Sequence, residues 1–243
     1  MISKNQIKLI RQLEQKKYRR REGLFVAEGT KVVGELLKRY EPHSVFATAD
    51  WQAPADITPQ IVTADELQRI SFQQHPQQVL ALFPLPSTSS GIAADSLSLV
   101  LDGVQDPGNL GTIIRIADWF GISTIYCSED TVDAWNPKVV QATMGSLARV
   151  NLIYIDILQM LDSLPADYPV YGTLLDGDDI YQQPLSDHGL IVMGNEGNGI
   201  SEAVRSRVNR RLLIPSFRQG DTAESLNVAI ATAITCSEFR RRV

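Results

Sequence analysis

The feature that most constrains the fold is a regular alternation of short apolar stretches and helical patterns, which begins near residue 97. Stretches that are too short for helices and apolar on both faces are typical of strands buried inside a parallel sheet. Six of them follow one another, at 97–104, 123–128, 150–155, 169–175, 189–194 and 210–216. Helical patterns lie between or after them, at 109–120, 137–148, 157–164, 201–208 and 225–240. The alternation predicts an α/β fold with a mostly parallel sheet and flanking helices.

The first third of the chain also mixes helices and strands, but less regularly. The predicted elements are a helix near residues 7–13, a strand at 24–27, a helix at 30–40 and a strand at 44–48. Residues 84–96 are rich in Pro, Ser, Gly and Ala and show no periodicity, which is typical of a linker. We therefore predict a small α/β domain at 1–83, a linker at 84–96 and a second domain at 97–243.

Positive charge is concentrated at the start of the chain. Residues 1–40 carry eleven Lys or Arg and four Glu, although the whole chain has a formal net charge of −5. A basic segment on an acidic protein is typical of nucleic-acid binding, with an affinity that falls as salt rises. The candidate contacts to the nucleic-acid backbone are Lys16, Lys17, Arg19, Arg20 and Arg21. The alternative is that this segment is only the solvated face of a helix.

Several other classes of protein are not indicated by the sequence. No stretch approaches about 18 uninterrupted apolar residues, and the N-terminal segment is charged throughout, so we expect a cytoplasmic protein without a membrane partner. Cys127 and Cys236 lie far apart without a CxxC pattern, and the three histidines are not spaced as metal ligands. We therefore expect neither a disulfide nor a metal site.

A glycine-rich turn follows the fifth apolar stretch, in the sequence LIVMGNEGNGIS at 190–201. Gly194 and Gly199 have the spacing of a phosphate-binding loop, but Ile200 stands where the lysine should be, and Glu196 would repel a phosphate. A dinucleotide fingerprint fails because Glu202 occupies the position of its last glycine. The turn therefore favours a ligand without phosphate, or a purely structural role.

Two further stretches carry polar residues at the predicted starts of helices. Asn109 is placed to cap the helix at 109–120, from which Arg115 projects away from the apolar stripe. Ser225 is a candidate cap for the last helix, and Asn227 lies in its first turn. Arginine can hold a phosphate with two parallel hydrogen bonds, although a cap and an ordinary surface arginine are the simpler interpretation.

Together, these stretches resemble the SpoU-type RNA 2'-O-methyltransferases of the SPOUT superfamily. The resemblance rests on Asn109 with Arg115, on GNEGNGIS, and on IP followed by ESLNVAIATAI, supported by MGSLARV at 144–150. It extends to GLFVAEGTKVVGELL, which looks like the small substrate-binding domain of ribosomal-protein-like fold that many members carry. The segment from Ile214 to Ser225 is longer than is usual, so Phe217, Arg218 and Gln219 receive no role.

The resemblance implies a methyl donor, S-adenosylmethionine, bound in a deep trefoil knot within the second domain. It implies a homodimer and a ribose 2'-hydroxyl of RNA as acceptor, in ribosomal RNA or alternatively transfer RNA, with no metal. The residues expected around the donor are Thr173, Leu174, Gly194, Asn195, Gly197, Gly199, Ile214 and Leu226. The expected catalytic residues are Asn109, Arg115, Glu196, Ser225 and Asn227.

Arg115 is assigned to the proton-removal step by the resemblance, but a guanidinium with a pKa above about 12 is a poor base. We therefore expect Arg115 to hold the phosphate beside the target ribose and to stabilise the developing alkoxide. Two alternatives remain open at this point. One is a non-catalytic RNA-binding protein that retains the fold, and the other is an unrelated α/β nucleotide enzyme.

Overall fold

The computed structural model describes residues 1–87, 95–218, 220 and 223–241. The chain forms two compact units. The first contains Met1–Ser87 and Asp133–Ala148, and the second contains Thr88–Val132 and Arg149–Val243. The residues predicted as a linker at 84–96 lie partly outside the described ranges.

The first unit is built on a mixed four-stranded sheet in the order β1-β4-β2-β3. Its elements in the N-terminal segment are α1 (Lys4–Gln12), α2 (Lys16–Glu22), β1 (Leu24–Glu28), α3 (Thr30–Leu37), β2 (Ser44–Ala47), β3 (Gln60–Ile61), α4 (Ala64–Ile70) and β4 (Val79–Pro84). β4 runs antiparallel to β1 and β2, whereas β2 and β3 are parallel. The predicted strands at 24–27 and 44–48 and the helix between them are confirmed.

Both faces of this sheet are covered. Leu24 and Val26 of β1 pack with Ile10 of α1 in one apolar cluster. Phe25 points to the opposite face, since side chains alternate along a strand. There its ring lies 4.7 Å from the ring of Trp135, centroid to centroid, so residues from 133–148 cover that face.

The segment 133–148 therefore packs in the first unit, although the sequence prediction included it in the domain at 97–243. It contains α6 (Pro137–Ala142) and a 3-10 turn at Ser146–Ala148. The predicted continuous helix over 137–148 is wrong, because Met144 has a φ of 52° and Gly145 a φ of 96°. These left-handed conformations end the helix.

The second unit contains the predicted parallel sheet, with six strands among its described residues in the order β10-β8-β9-β5-β6-β7. Its strands are β5 (Leu97–Leu101), β6 (Thr124–Cys127), β7 (Asn151–Tyr154), β8 (Val170–Asp179), β9 (Gly189–Met193) and β10 (Arg210–Leu213). Its helices are α5 (Pro107–Trp119), α7 (Ile157–Asp162), α8 (Glu202–Arg205) and α9 (Val228–Arg241). Every predicted strand is confirmed, and all the strand pairings are parallel.

One pairing is irregular. Arg211 of β10 lies opposite Gly172 of β8, but the next residue, Leu212, lies opposite Asp178. Residues 173–177 of β8 therefore have no partner residue in β10. At Gly177 the backbones come so close that a Cβ atom would lie 2.5 Å from the carbonyl carbon of Leu212.

Helices α5 and α9 pack against each other and run in the same direction. Asn227, just before α9, contacts Asn109 in the first turn of α5. At the other end, the Nε of Arg240 donates to the carbonyl oxygen of Phe120 at 2.8 Å. No helix in the described part of the chain is long and apolar enough to cross a membrane.

Candidate active site

The carboxyl ends of the neighbouring strands β5 and β9 define the candidate site. β5 ends at Leu101 and β9 at Met193, and each is followed by a polar loop that leads to a helix. In parallel sheets covered by helices, ligands bind at this edge. The side chains that follow the two strands are therefore brought together by the sheet.

The glycine turn after β9 closes on itself through its backbone. The N–H of Asn195 donates to the carbonyl oxygen of Gly199 at 2.9 Å, and the N–H of Gly199 donates back to Asn195 at the same distance. The side-chain oxygen of Asn195 accepts from the N–H groups of Gly197 and Asn198, at 2.9 and 3.0 Å. Its amide donates to the carbonyl oxygen of Gly103 at 2.6 Å, which ties the turn to the loop after β5.

The glycines of this turn are not equivalent. A Cβ atom on Gly194 would lie 2.1 Å from the carbonyl carbon of Gly199, so only glycine fits there. Gly199 has a φ of +69°, a conformation that favours glycine. A Cβ atom on Gly197 would meet nothing closer than 3.6 Å, so this position has room for a side chain.

Glu196 joins the glycine turn to the start of α5. One carboxylate oxygen accepts from the N–H of Asp106 and the side-chain amide of Asn109, both at 3.0 Å. The other accepts from the N–H of Gln105 at 3.1 Å. Because backbone N–H groups before a helix are where a phosphate would bind, the carboxylate occupies a potential anion site. This arrangement agrees with the exclusion of a phosphate-binding loop.

The pKa of Glu196 reflects these contacts. Partial burial of the carboxylate acts to raise its pKa, but the hydrogen bonds from Asn109, Asp106 and Gln105 favour the charged form. The balance places the pKa of Glu196 below its ordinary value. The residue is therefore a charged acceptor at neutral pH.

Two asparagines extend this network to the last helix. The side-chain amide of Asn227 donates to the side-chain oxygen of Asn109 at 2.9 Å. The oxygen of Asn227 accepts from the N–H groups of Ala229 and Ile230, at 2.9 and 3.3 Å. Asn109, Glu196 and Asn227 thus form one hydrogen-bonded chain across three segments.

Two predicted helix caps are wrong. The cap of α5 is Asp106, whose side chain accepts from the N–H of Asn109 at 2.8 Å. Pro107 at the first helical position was the signal for this cap, since proline is favoured there. Asn227 rather than Ser225 accepts from the first turn of α9, because the helix begins at Val228. Ser225 is exposed.

Arg115 is exposed on α5, while Ile113 and Ala117 of the same helix are buried, as the pattern predicted. The structure gives its guanidinium no hydrogen bond or ion pair to any of the described residues. Arg115 is therefore available to an anionic ligand. Its role toward a substrate stays a prediction.

The remaining residues expected around the donor lie along the same edge of the sheet. Thr173 and Leu174 are in β8, next to β9, and the hydroxyl of Thr173 donates to the carbonyl oxygen of Val192 at 3.2 Å. Ile214 follows β10, which pairs with β8. Leu226 precedes Asn227 and is exposed. Their contacts to a donor stay predictions.

The sequence interpretation missed the loop after β5 as part of the site. Asp102 accepts from the N–H of Ser201 at 2.7 Å, at the start of α8, and Gly103 accepts from Asn195. Gln105 and Asp106 donate to Glu196. The signal was available, since DGVQDPG is a polar loop between a buried strand and a helix.

Arg19 is a correction to the predicted RNA contacts. It is 2% exposed, and its Nη1 donates to the carbonyl oxygens of Leu13 and Glu14, both at 2.7 Å. Its Nε donates to Asp133 at 3.0 Å, within an ion pair. Because these partners use its donors inside the first unit, Arg19 is unavailable to RNA.

The other basic residues of α2 remain candidates for RNA contacts. Lys17, Arg20 and Arg21 are exposed, and Lys16 is half-buried. Lys17 and Arg21 both lie over the ring of Tyr18, at 4.9 and 4.8 Å from its centroid.

Comparison with known proteins identifies the family. The sequence model of the SpoU rRNA methylase family matches residues 96–237, and that of an MRM3-like substrate-binding domain matches residues 4–81. The chain belongs to the SpoU family. The resemblance stated from the sequence motifs is confirmed, and the two matches account for most of this SpoU protein.

Three relatives illustrate the similarity. The chain is 33% identical to the 23S rRNA (guanosine(2553)-2'-O)-methyltransferase RlmP of Bacillus subtilis, over 98% of this chain and 97% of the relative. A protein from Porphyromonas gingivalis, assigned to the TrmH family of RNA methyltransferases, has 44% identity and a TM-score of 0.91 over the full length of both chains. An AdoMet-bound rRNA methyltransferase from Sinorhizobium meliloti has 30% identity and a TM-score of 0.84, over 100% and 97% of the two chains.

Proposed function

We propose that the protein transfers a methyl group from S-adenosylmethionine to a ribose 2'-hydroxyl of ribosomal RNA. The observation that carries the proposal is the glycine turn at 194–199, closed on its own backbone and joined through Glu196 to Asn109 and Asn227. The likeness to RlmP, whose name states this reaction, supports it over nearly the whole chain. Transfer RNA is the second candidate substrate.

The residues at the turn fit the proposed donor. Nothing lies within 4 Å of the place that a Cβ atom of Gly199 would take, so a ligand can approach its backbone closely, whereas the missing side chain of Gly194 makes room for the backbone of Gly199. The carboxylate of Glu196 accepts hydrogen bonds from the N–H groups of Gln105 and Asp106, which would otherwise attract a phosphate. This arrangement suits a cationic ligand without phosphate. S-adenosylmethionine supplies an electrophilic methyl group on a sulfonium. The residues proposed to hold it are Thr173, Leu174, Gly194, Asn195, Gly197, Gly199, Ile214 and Leu226.

The protein's own task is then to position the acceptor hydroxyl and stabilise its charge. Holding two reactants in line contributes up to roughly 7 to 11 kcal/mol in favourable cases. The free guanidinium of Arg115 grips the phosphate beside the target ribose with two hydrogen bonds and stabilises the developing alkoxide. Asn109, Glu196, Ser225 and Asn227 form the polar wall around the hydroxyl.

The proposal includes a homodimer formed along α5 and α9. Trp119 at the end of α5 is 84% exposed, and Ile230 in the first turn of α9 is 52% exposed. Aromatic side chains such as that of Trp119 are enriched at protein interfaces. Trp119→Ser is expected to shift the protein from dimer to monomer in light scattering, and a monomeric wild type would refute this part.

The proposal also includes the trefoil knot and a cytoplasmic location. The knot is proposed from the family resemblance alone. The location follows from ribosomal RNA as the proposed substrate. The absence of a metal requirement is likewise a proposal, and methyl transfer in the presence of a chelator tests it.

The experiment is methyl transfer from labelled S-adenosylmethionine to ribosomal and transfer RNA from cells lacking the protein, followed by nucleoside mass spectrometry. The expected product is a 2'-O-methylated nucleoside. RNA binding without methyl transfer would instead support a non-catalytic RNA-binding protein. Binding of ATP or NAD, with no effect of S-adenosylmethionine on thermal stability, would support an unrelated nucleotide enzyme.

The role of Arg115 is tested by Arg115→Lys, which keeps the charge but loses the planar fork. We expect the rate of methyl transfer to fall by about 100-fold, the loss typical of removing one donor to a developing oxyanion. Arg210→Lys, at an exposed arginine of the same unit, is the matched control and should keep the wild-type rate. A wild-type rate for Arg115→Lys would show that the phosphate-clamp assignment is wrong.

A further inference from the structure

A polar groove on the first unit lies outside the site described above. It has a volume of about 410 Å³ and lies between the end of α1, the end of α4 and the residues that follow α4. The residues that matter here are Arg11, Glu14, Gln68, Phe72 and Gln74. The groove lies within the substrate-binding domain matched at residues 4–81, but neither the sequence interpretation nor that match names a residue of the groove as a ligand contact.

The centre of the groove is a cation stacked on an aromatic ring. The guanidinium carbon of Arg11 lies 5.3 Å from the centroid of the Phe72 ring. The Nη1 of Arg11 donates to the carbonyl oxygen of Ser71 at 2.6 Å, which fixes its orientation. The pair is therefore held in place before any ligand binds.

A buried carboxylate anchors this pair from below. Glu28 is 6% exposed, accepts from the hydroxyl of Ser71, and accepts from the N–H of Phe72 at 2.8 Å. Burial raises the pKa of Glu28, while the hydrogen bonds from Ser71 and Phe72 and the charge of Arg11 act to lower it. Glu28 thus accepts hydrogen bonds from both residues that contact the guanidinium of Arg11.

Polar side chains without partners surround the stacked pair. Within the described ranges, the carboxylate of Glu14 and the side-chain amides of Gln68 and Gln74 make no hydrogen bond. They offer both donors and acceptors, which is the combination that the edge of a nucleobase requires. Arginine and aromatic faces flanked by such groups are typical of sites for unpaired RNA bases.

The groove also adjoins the basic helix. Glu14 lies two residues before Lys16, the first residue of α2, and Lys17, Arg20 and Arg21 of α2 are exposed. Cations of this kind contact phosphates and provide affinity without reading sequence, whereas base contacts provide specificity. The two kinds of contact are thus available side by side in one unit.

We propose that this groove binds one unpaired base of the substrate RNA, stacked on the Arg11–Phe72 pair and hydrogen-bonded to Glu14, Gln68 or Gln74. The inference rests on the proposed function only for the nature of the ligand, which is RNA. It adds a base-reading position that is separate from the ribose to be methylated.

The test measures binding of the full-length protein to short abasic ribose-phosphate strands that carry one base, A, C, G or U, or none. Wild type is expected to bind at least one base-bearing strand about tenfold more tightly than the abasic strand, which corresponds to stacking of a single base. Phe72→Leu and Arg11→Lys are expected to lose this preference. Phe72→Leu keeps an apolar side chain and Arg11→Lys keeps the positive charge, so the salt dependence of RNA binding should not change.

Arg39→Lys, at an exposed arginine in the turn after α3, is the matched control and should keep the preference. Thermal unfolding of each variant verifies that it is folded. If wild type shows no preference for a base, or if both groove variants retain it, the proposal is overturned. Methyl transfer to ribosomal RNA by the same wild-type preparation would still support the proposed function, so the two failures are distinguishable.

Discussion

The glycine turn at 194–199 and helix α2 both suggested binding from their residue types, but the structure uses these residues differently. In the turn, the side chains of Asn195 and Glu196 form hydrogen bonds with backbone groups of the loop after β5. Gly194 is required because another part of the backbone lies close to it, and Gly199 is favoured by its positive φ. In α2, four basic residues remain candidates for RNA, while Arg19 is buried in an ion pair.

The difference shows what each kind of pattern can predict. Glycines at fixed spacing restrict the backbone, so the position of a tight turn follows from the sequence. A run of charges does not say which side chain points inward, because a helix that is polar all round has no apolar stripe to orient it. Residue type therefore predicted the turn more reliably than the individual contacts of α2.

The largest expected effect comes from Arg19→Ala. The substitution leaves Asp133 without its guanidinium and leaves the carbonyl oxygens of Leu13 and Glu14 without their donor. Breaking a buried ion pair destabilises a protein by about 3 to 5 kcal/mol. Urea unfolding should show this loss in the free energy of unfolding. Arg20→Ala, next to it on the exposed face, should stay within about 0.5 kcal/mol of wild type. Equal stability of the two variants would contradict the structural role of Arg19.

Glu196→Gln is expected to have a smaller effect on stability. Both oxygens of Glu196 accept hydrogen bonds, whereas an amide has only one oxygen, so its NH₂ group would face an N–H donor. We expect a loss of about 1 kcal/mol, the net value of one hydrogen bond. Glu129→Gln, at an exposed glutamate of the same unit, is the control. Identical unfolding curves for both variants would mean that Glu196 does not hold the turn.

The pH dependence of stability should separate Glu196 from Glu28. The pKa of Glu196 is lowered in the folded protein, so its contribution is present above the unfolded pKa and is lost as pH falls through the folded value. The pKa of Glu28 is raised, so its contribution is present below the unfolded pKa and is lost as pH rises through the folded value.

Urea unfolding of wild type, Glu196→Gln and Glu28→Gln across acidic pH tests this contrast. The loss of stability on acidification should be smaller in Glu196→Gln than in wild type. The loss on raising the pH should be smaller in Glu28→Gln. If each variant follows the pH profile of wild type in parallel, the assigned directions are wrong.

The smallest expected effect concerns single cations of α2. Arg20→Ala should lower the slope of log affinity against log salt by about 0.7 for single-stranded RNA, the value for one phosphate contact. Arg39→Ala, at an exposed arginine in the turn after α3, serves as the control. An unchanged slope for Arg20→Ala, Lys17→Ala and Arg21→Ala together would exclude α2 from the RNA-binding surface.

The sequence predicted the architecture of the second unit well. All six strands and the helices between them could be located, because buried parallel strands are apolar on both faces and are separated by polar loops. The packing of residues 133–148 in the first unit could not be predicted. Trp135 contacts Phe25 across more than a hundred residues of sequence, and local patterns carry no information on such a contact.

The site was predicted in part. Asn109, Glu196 and Asn227 were identified as candidates, and the structure joins them in one network. The caps were misassigned because each helix start has two candidate residues a few positions apart. These are Asp106 and Asn109 before and in α5, and Ser225 and Asn227 before α9, and all of these residue types can cap a helix. Asp102 and Gly103 were missed because their contacts are formed only when two neighbouring strands end side by side.

The most direct test of the central claim is the titration of S-adenosylmethionine into wild type, Gly194→Ala and Gly34→Ala. The claim is that the backbone of the glycine turn holds the methyl donor. Wild type and Gly34→Ala should bind with similar affinity, because a Cβ atom on Gly34, in α3, meets nothing within 4 Å, whereas Gly194→Ala should lose binding because its Cβ atom would clash with Gly199 and open the turn. Equal binding by all three proteins, or none by the wild type, would contradict the account.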